Sequence, residues 1–385
     1  MKDPTLCQWS IIKKDKWLLI SLTLLPLLLS LSLWWIFSQS IARNLPIAVV
    51  DLQKSSLSRQ LTRDLDATDI LKVVGSYADV ASAKHAFIGN KIYAYMVIPK
   101  NFDRDIYLNT PPQVSMFYNS QFILVGKLIN KAVAQAHGTF DAKVAVMKQL
   151  SMGNKTTSSA LGKALTIRTQ ITPLFNKNSN YAQFLVSGIV PAIWQISIIV
   201  STILLLAANF RIYGQSAVFY KTPFKNILKI NAFYFPIFLI QGFAFLLWFY
   251  QILDWPMMGN LFVLFIAQVV TALACVIMGN LFFLISFDPA RAMSFAAAFT
   301  APSFAFMGVT FPASDMNILA RSWRNLLPIS HYIEAQISQV SYGVSAWNTL
   351  SNFIPTMFFY FIPLLLTLLL IKKQLKKMDL HYDVI

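Results

Sequence analysis

The chain has 385 residues, of which 56% are hydrophobic and only 12% are charged, and its mean hydropathy is +0.55. This composition excludes an ordinary soluble domain and predicts several membrane spans. The net charge of +16 comes without a compact basic patch or nucleic-acid motif, so no nucleic-acid partner is expected. The basic residues are better explained as flanks of apolar segments that face an anionic lipid bilayer. Cys7 and Cys275 lie far apart and predict free thiols.

The N-terminal region predicts an interface helix followed by a membrane anchor. Residues 1–16 place Leu6, Trp9 and Ile12 at helical spacing before a group of lysines, which is typical of an amphipathic helix on the cytoplasmic interface. Residues 17–38 form the first span, because about 21 uncharged residues at 1.5 Å each reach roughly 31 Å. A cleaved signal peptide is the alternative, but the run exceeds a typical signal core and favours an uncleaved anchor.

Residues 39–180 differ in character, because short apolar runs alternate with polar residues. Segments 46–51, 70–74, 91–98 and 113–118 are strand-like, whereas 55–65, 79–87, a short stretch after Pro99 and 121–150 are helical. This alternation predicts a small α/β domain with one long helix of roughly 45 Å. The apolar stripe of the long helix favours a packed core or a dimer seam over a ligand groove.

Five further apolar runs complete a prediction of six membrane spans: 17–38, 181–208, 230–252, 261–287, 292–310 and 352–371. Six spans place both termini on one side. Lysine and arginine concentrate in the N-terminal segment, the 209–229 loop, the turn at Asp288 and the 372–385 tail. The positive-inside rule therefore predicts cytoplasmic termini and an extracytoplasmic α/β domain.

The motifs of common enzymes are absent from the sequence. There is no P-loop, no dinucleotide-binding fingerprint and no H-E-x-x-H motif, and the four histidines are scattered. We therefore expect no catalytic residues, no metal site and no cofactor bound by this chain, and we do not expect an enzyme.

The stretch between the fifth and sixth spans, 311–345, is the first functional candidate. The apolar run breaks at Gly308 and at Phe311-Pro312, and restarts at Leu327-Pro328. Broken backbone at membrane depth is tolerated only where protein or a water-lined cavity surrounds it. An extracytoplasmic re-entrant segment at the exit of a substrate path is therefore predicted, with these candidate gate residues: Gly308, Phe311, Pro312, Pro328, His331 and Glu334. His331 and Glu334 lie on one helical face, and either a mutual hydrogen bond, a direct role in the gate or snorkelling to the interface would explain them.

Three stretches resemble the ABC-2 family of ABC-transporter permeases, specifically exporter subunits with a large extracytoplasmic insert after the first span. They are the segment 46–61 (PIAVVDLQKSSLSRQL), the segment 174–188 (LFNKNSNYAQFLVSG), and the pair 304–312 (FAFMGVTFP) and 327–332 (LPISHY) with Met316. The resemblance extends over nearly the whole chain, from the first segment to the last, and the last pair is the most specific.

The resemblance implies a type V ABC-exporter-like bundle in a bacterial inner membrane. Two permease halves, identical or paralogous, would pair, and separate ABC ATPase subunits would use ATP-Mg. The 209–229 loop would couple to the ATPase, although relatives carry an acidic Glu-Arg-Gly-Thr-like stretch that this chain lacks. The candidate coupling residues are Arg211, Tyr213, Gly214, Lys221 and Pro223.

The second and fifth spans would line the route for a hydrophobic or amphipathic substrate through Ile193, Trp194, Phe304 and Phe306. A periplasmic adaptor is a further candidate partner. The alternative function is that of an envelope docking or signalling protein, whose extracytoplasmic domain binds a periplasmic partner.

Overall fold

A computed structural model describes residues 7–38, 42–108, 110–151, 180–219 and 222–382. The chain divides into two compact units: Met1–Ser40 with Pro173–Ile385, and Ile41–Thr172. In chain order the elements are α1 (Gln8–Lys14), α2 (Lys16–Leu22), α3 (Leu24–Phe37), β1 (Leu45–Asp51), α4 (Ser56–Asp66), β2 (Leu71–Ser76), α5 (Val80–Ile88), β3 (Ala94–Ile98), α6 (Phe102–Tyr107), β4 (Ser115–Tyr118), α7 (Ile123–Ser151), α8 (Tyr181–Tyr213), α9 (Gln215–Val218), α10 (Pro223–Leu247), α11 (Leu261–Ser286), α12 (Pro289–Thr300), α13 (Ser303–Phe306), α14 (Ile318–Leu326), α15 (Pro328–Val340), α16 (Ala346–Met357) and α17 (Phe361–Tyr382).

The unit Ile41–Thr172 contains a four-stranded sheet in the order β2-β1-β3-β4. Strand β1 is parallel to β2 and β3, and β4 is antiparallel to β3. Parallel neighbours need crossover connections, which α4 provides between β1 and β2 and α5 provides between β2 and β3. The alternating segments of the sequence therefore form a mixed sheet with helical connections.

Helices cover both faces of this sheet. On one face, α4 and α7 pack Leu61 and Ile129 into the same cluster as Ile47 of β1. On the other face, Ala83 of α5 packs in a second cluster with Val50 of the same strand. Burial on both faces explains why β1 is a nearly continuous apolar run.

Side-chain caps fix where two of these helices begin. The Ser55 hydroxyl accepts a hydrogen bond from the backbone N–H of Ser58, and the Ser58 hydroxyl accepts one from the backbone of Ser55. The Asp79 carboxylate likewise accepts from the backbone N–H of Ser82 at 2.7 Å. Because this bond favours the ionised form, it lowers the pKa of the Asp79 carboxyl.

The other unit is helical and is organised around α8, a helix of 33 residues. It packs against α3, α10, α11 and α12, and its apolar stretch is largely buried inside the unit. Asn180 caps its start by accepting from the backbone N–H of Gln183. At about 1.5 Å per residue, α8 is roughly 50 Å long, which is more than a bilayer core requires.

Helices α8 and α11 approach each other closely at Gly279. A Cβ atom at this position would lie 2.7 Å from Cβ of Thr202 and 3.0 Å from the carbonyl oxygen of Ile199. A glycine here lets the two backbones come together, as small residues do in membrane helix packing.

Four helical stretches of the described residues are long and apolar enough to cross a membrane: Tyr181–Tyr213, Pro223–Ile252, Leu261–Ser286 and Ala346–Lys376. The pair Lys16–Leu22 and Leu24–Phe37, bent by 42°, makes a fifth if it is one span. The structure therefore supports a helical protein with four to five candidate spans and does not confirm six.

The predicted fifth span at 292–310 is not one helix. It is divided into α12, of 12 residues, and the single turn α13, with Ala301 and Pro302 between them. Proline has no N–H to continue the helical ladder, so the helix stops although the sequence stays apolar. About 18 Å of helix in α12 is too short to cross a bilayer alone.

Candidate functional site

The backbone of residues 301–340, called the broken segment below, changes direction several times. After α13, Gly308 adopts a φ of +88°, a conformation that side chains rarely allow, and Pro312 begins a short 3₁₀ turn at Ala313–Asp315. Helix α14 follows, and α15 begins at Pro328. A proline is tolerated there because the N–H of the first helical residue has no hydrogen-bond partner within the helix. The glycine and both prolines predicted as breaks therefore lie at breaks.

Gln195 of α8 holds two pieces of the broken segment together. Its side-chain oxygen accepts from the backbone N–H of Ile329 at 2.9 Å, and its side-chain nitrogen donates to the Ser303 hydroxyl at 3.1 Å. Gln195 is fully buried. Leu327, in the N-cap position of α15, has no side-chain oxygen, so Gln195 supplies from another helix the acceptor that a capping residue usually provides.

An ion pair joins α14 to α15. Nη2 of Arg324 lies 2.9 Å from Oε2 of Glu334, which is the only glutamate in the sequence. The Arg324 side chain is 10% exposed, whereas that of Glu334 is 65% exposed. The arginine also packs beside Gly308, where a Cβ atom would lie 3.6 Å from its Nε. A buried cation thus links the two helices and lies beside the turn at Gly308.

His331 and Glu334 do not bind each other, so the mutual hydrogen bond considered from sequence is wrong. Nε2 of His331 lies 3.0 Å from the carbonyl oxygen of Asn325, and Glu334 turns to Arg324. Both side chains find partners in or at the end of α14, because the turn at Leu327 folds that helix back towards the first turns of α15.

The N-terminal helix α1 is tied to the C-terminal end of α8, and we call this region the N-terminal junction (Cys7–Asp15 with Asn209–Gly214). The Gln8 and Asn209 side-chain amides exchange two hydrogen bonds of 2.9 and 3.2 Å, and both residues are buried. Arg211 forms an ion pair with Asp15, and the Tyr213 hydroxyl donates to the Cys7 carbonyl oxygen. Buried side-chain amides need such partners, so the junction specifies one docking position.

The 209–229 region is therefore not a continuous polar loop. Helix α8 continues through it to Tyr213, α9 follows Gly214, and α10 begins at Pro223. The polar side chain of Asn209 lies inside the helical unit, where it bonds Gln8 and the Leu205 carbonyl oxygen. The helix therefore extends past the end of the apolar run. Gly214 ends α8 with φ +82° and ψ 153°, a backbone conformation that is essentially restricted to glycine.

The family model described as "ABC-2 family transporter protein" matches residues 16–371, which include the broken segment and the Asn209–Gly214 part of the N-terminal junction. This chain belongs to the ABC-2 transporter family. No curated protein and no solved structure matched it.

Membership in the ABC-2 family makes this chain a membrane subunit for transport, and it implies association with ABC ATPase subunits. The match and the apolar helices together indicate a multi-pass membrane protein. Among the residues that the structure describes, no group of three or more His, Cys, Asp or Glu side chains could hold a metal ion.

The remaining predicted path residues are spread over the helical unit. Ile193 and Trp194 are buried, and the Trp194 indole donates to the Phe238 carbonyl oxygen, which is a packing contact within the unit. Phe304 and Phe311 are exposed, Phe306 is half-buried and Pro328 is buried. The structure thus brings Glu334 to Arg324 and His331 to Asn325. The ring of Trp194 lies 6.3 Å from that of Tyr332 in α15. The role of the predicted residues in a substrate path stays a prediction.

The predicted coupling residues also separate into different roles. Arg211 and Tyr213 bind the N-terminal segment, and Gly214 and Pro223 mark the ends of helices. Lys221 lies outside the described residues. Gln195 and Arg324, which the sequence did not assign to the site, make the contacts that define it. Each is a strongly polar residue in or beside an apolar run. Such a residue usually faces the interior of a helix bundle, and this pattern could have identified both from the sequence.

Replacing Glu334 by alanine should impair transport and weaken the docking of α14 on α15 in this ABC-2 chain. The change leaves the Arg324 guanidinium, a buried cation, without its carboxylate, which typically costs more than the ion pair itself contributes. Glu334→Gln keeps an acceptor for Arg324 and should lie between wild type and Glu334→Ala. Transport and the midpoint of thermal unfolding would be measured for both.

Asp315→Asn is the control, because it neutralises an exposed carboxylate of the same segment. Equal transport by Glu334→Ala and Asp315→Asn would show that the ion pair has no functional role.

Replacing Asn209 by leucine should release α1 from α8. The change removes both hydrogen bonds between the Gln8 and Asn209 side-chain amides, at a cost of about 1–3 kcal/mol in total. Protease accessibility of residues 7–15 should rise while the rest of the chain stays folded.

Asn348→Leu is the control, because Asn348 is exposed. Asn226→Leu is less suitable, because the Asn226 side chain donates to the Val218 carbonyl oxygen. Unchanged proteolysis in Asn209→Leu would contradict the docking role.

Proposed function

We propose that this chain is the permease subunit of an ATP-driven exporter in a bacterial inner membrane. It moves a hydrophobic or amphipathic substrate out of the cytoplasm or the inner leaflet, and a separate ATPase subunit hydrolyses ATP-Mg. Membership in the ABC-2 family supports a transport subunit, and the outward direction rests on the exporter subunits that the chain resembles. A second permease half, identical or paralogous, completes the transporter.

One observation carries the assignment of the path. Within the broken segment, α15 begins inside the helical unit. There the buried Gln195 accepts from the backbone N–H of Ile329 in place of an N-cap side chain. Non-helical backbone at membrane depth is stable only when protein or a water-filled cavity encloses it, and such segments are where transporters place their routes. The broken segment is thus the exit end of the path.

The proposed orientation places both termini in the cytoplasm and the α/β unit outside it, because lysines and arginines accumulate in the links on the terminal side. The N-terminal junction then faces the cytoplasm, where the ATPase binds. Because Arg211 and Tyr213 connect α8 to α1, movement of α1 by the ATPase would be passed directly to the helix that carries Gln195.

Affinity purification of the full chain from its native membranes tests the proposed assembly. An ABC ATPase should copurify in mild detergent, and transport should stop when ATP is removed. The proposal fails if no ATPase copurifies and transport is unaffected by ATP removal.

A deletion separates the exporter from an envelope docking protein. Removing residues 307–334 while keeping the α/β unit should abolish efflux from an exporter. A docking protein would instead keep its periplasmic partner after the same deletion, and retention of a partner with no efflux in the wild type would favour that alternative.

A further inference from the structure

The two outer strands of the four-stranded sheet, β2 and β4, each have one edge that pairs with no other strand of the described residues. Such an edge carries unpaired N–H and C=O groups, which can pair with a strand of another chain. Proteins usually block these edges with charged side chains, bulges or covering groups. In this sheet one edge is blocked and the other is open.

The β2 edge is blocked by the chain itself. The register between β1 and β2 shifts at Val74, which is therefore left without a partner in β1. The Val73 backbone N–H donates to Oδ1 of Asp66 at 2.8 Å, and Nζ of Lys72 lies 3.7 Å from Oδ2 of the same carboxylate. A second chain would have to displace Asp66 before it could pair with β2.

The β4 edge is open. The Asn119 backbone N–H donates to the Tyr93 carbonyl oxygen at 2.9 Å, so Phe117, two positions earlier, also directs its backbone groups towards β3. Because these directions alternate along a strand, Met116 and Tyr118 direct their N–H and C=O groups to the free edge. Those groups bond no described residue, and β4 contains no charged residue and no shift in register.

A row of aromatic rings ends at this open edge. Phe117 of β4 stacks on Tyr95 of β3 with 5.0 Å between ring centroids, and Tyr95 meets the ring of Phe87 in α5 edge-on at 5.7 Å. Phe117 is nevertheless 48% exposed. An aromatic side chain on a strand added next to β4 would cover the open side of Phe117 and continue the row.

A second copy of β4 fits this edge in a symmetric antiparallel register. With Phe117 opposite Phe117 of the second copy, Met116 lies opposite Tyr118 of that copy, and the two pairs exchange four backbone hydrogen bonds. The two Phe117 residues then form a pair without hydrogen bonds, in which the side chains approach most closely. Aromatic side chains in such cross-strand pairs stabilise a sheet. The contact is two-fold, with the same surface on both chains.

Charge and size also bear on this contact. Residues 113–122 contain no charged side chain, so two copies of the edge do not repel each other locally. Stable interfaces usually bury about 1,200–2,000 Å² in total, which is more than a strand of four residues provides. The contact therefore suits two chains that one membrane complex already holds together, because their effective concentration is high.

We propose that the β4 edge binds β4 of a second copy of this chain and joins two α/β units through one continuous sheet. This inference rests on the proposed pairing of two permease halves. It deepens that proposal by selecting an identical half and by giving one surface at which the halves meet.

Disulfide crosslinking of the full chain in isolated membranes tests the contact. The background is Cys7→Ser, because Cys7 is exposed whereas Cys275 is buried. Phe117→Cys places two thiols at the symmetric position, where a Cα separation of about 4.5 Å permits a disulfide. Diamide is the oxidant and takes up the two electrons and two protons that the thiols release. Phe117→Cys should give about tenfold more covalent dimer than either control, because only its thiols lie within bridging distance.

Two single-cysteine variants are the controls. Ser115→Cys lies on the same strand and the same face, but the two copies of residue 115 are offset by four residues, or about 13 Å, which no disulfide spans. Val74→Cys is exposed on the blocked β2 edge of the same sheet. Absence of dimer in Phe117→Cys, or equal amounts of dimer in all three variants, would overturn the inference.

A photocrosslinking variant decides the question if Phe117→Cys does not fold. Replacement of Phe117 by p-benzoylphenylalanine keeps the aromatic ring, and light should then link the chain to residues 115–119 of another copy. Coexpression of chains with different isotope labels separates such links from those within one chain. Links only within one chain, or only to a different protein, would overturn the inference, and the second result would assign the edge to another partner.

Crosslinking needs neither ATP nor an ATPase, so the two proposals fail separately. ATP-driven export without the link at residue 117 would remove only the β4 contact. The link without ATP-driven export would remove the exporter and leave the contact between two copies.

Discussion

Gln195→Leu is expected to reduce transport by at least one order of magnitude while the chain still associates with its ATPase. The substitution keeps the size of the side chain and removes both polar atoms. The backbone N–H of Ile329 then stays buried without an acceptor, which costs about 1–3 kcal/mol, and the Ser303 hydroxyl loses its donor.

That cost falls on the docked position of α15, because Gln195 is the only described side chain that caps its first turn. A change of 1–3 kcal/mol shifts an equilibrium between docked and undocked α15 by about 5- to 150-fold. Transport, the thermal unfolding midpoint and ATPase copurification would be measured together. Gln251→Leu is the matched control, since Gln251 is exposed in the same unit.

A different pattern would point to a simple folding defect. If Gln195→Leu loses ATPase copurification and folded protein in parallel with transport, the residue only stabilises the unit. If it transports as well as Gln251→Leu, α15 does not need this cap and the broken segment is a structural plug.

Gly279→Ala is expected to prevent close packing of α8 on α11 and to lower the yield of folded protein severely. The added Cβ atom would meet Cβ of Thr202 at 2.7 Å and the Ile199 carbonyl oxygen at 3.0 Å. A backbone oxygen cannot move aside as a side-chain tip can, so the helices must separate, and overpacking of this kind typically costs 1–3 kcal/mol. Heating followed by size-exclusion chromatography would measure the loss of folded protein.

Gly138→Ala provides the matched control for that prediction. Gly138 is also helical, and a Cβ atom there would meet nothing within 4 Å. Alanine favours a helix over glycine by up to about 1 kcal/mol, so this variant should be neutral or slightly stabilised. If the two alanine variants behave alike, the close approach at Gly279 does not limit stability.

The α/β unit could be predicted in some detail because its signals are local. Buried strands such as 45–51 are short apolar runs, and Ser55 and Asp79 mark helix starts through bonds to residues three positions away. The breaks at Gly308, Pro312 and Pro328 were likewise visible, because glycine and proline act on their own backbone. Strand order needed the structure, since it depends on pairing between distant segments.

The partners within the site could not be predicted, because they depend on how the helices pack. Gln195 bonds a residue 134 positions away, and Gln8 bonds Asn209 across 201 positions. The spacing of His331 and Glu334 allowed a mutual bond, but Arg324 and the Asn325 carbonyl, in α14, were nearer partners in the folded chain. The fifth predicted span is not confirmed as one helix, because hydropathy does not register the effect of Pro302 on the backbone.

We propose that this ABC-2 chain forms an ATP-driven exit path at the broken segment. The most direct measurement is flux of N-phenyl-1-naphthylamine, a neutral hydrophobic dye, in proteoliposomes that contain the full chain with its copurified ATPase. We predict dye movement that requires ATP hydrolysis and falls at least tenfold in Gln195→Leu but not in Gln251→Leu. Dye movement that continues without ATP, or that is equal in both variants, would contradict the claim.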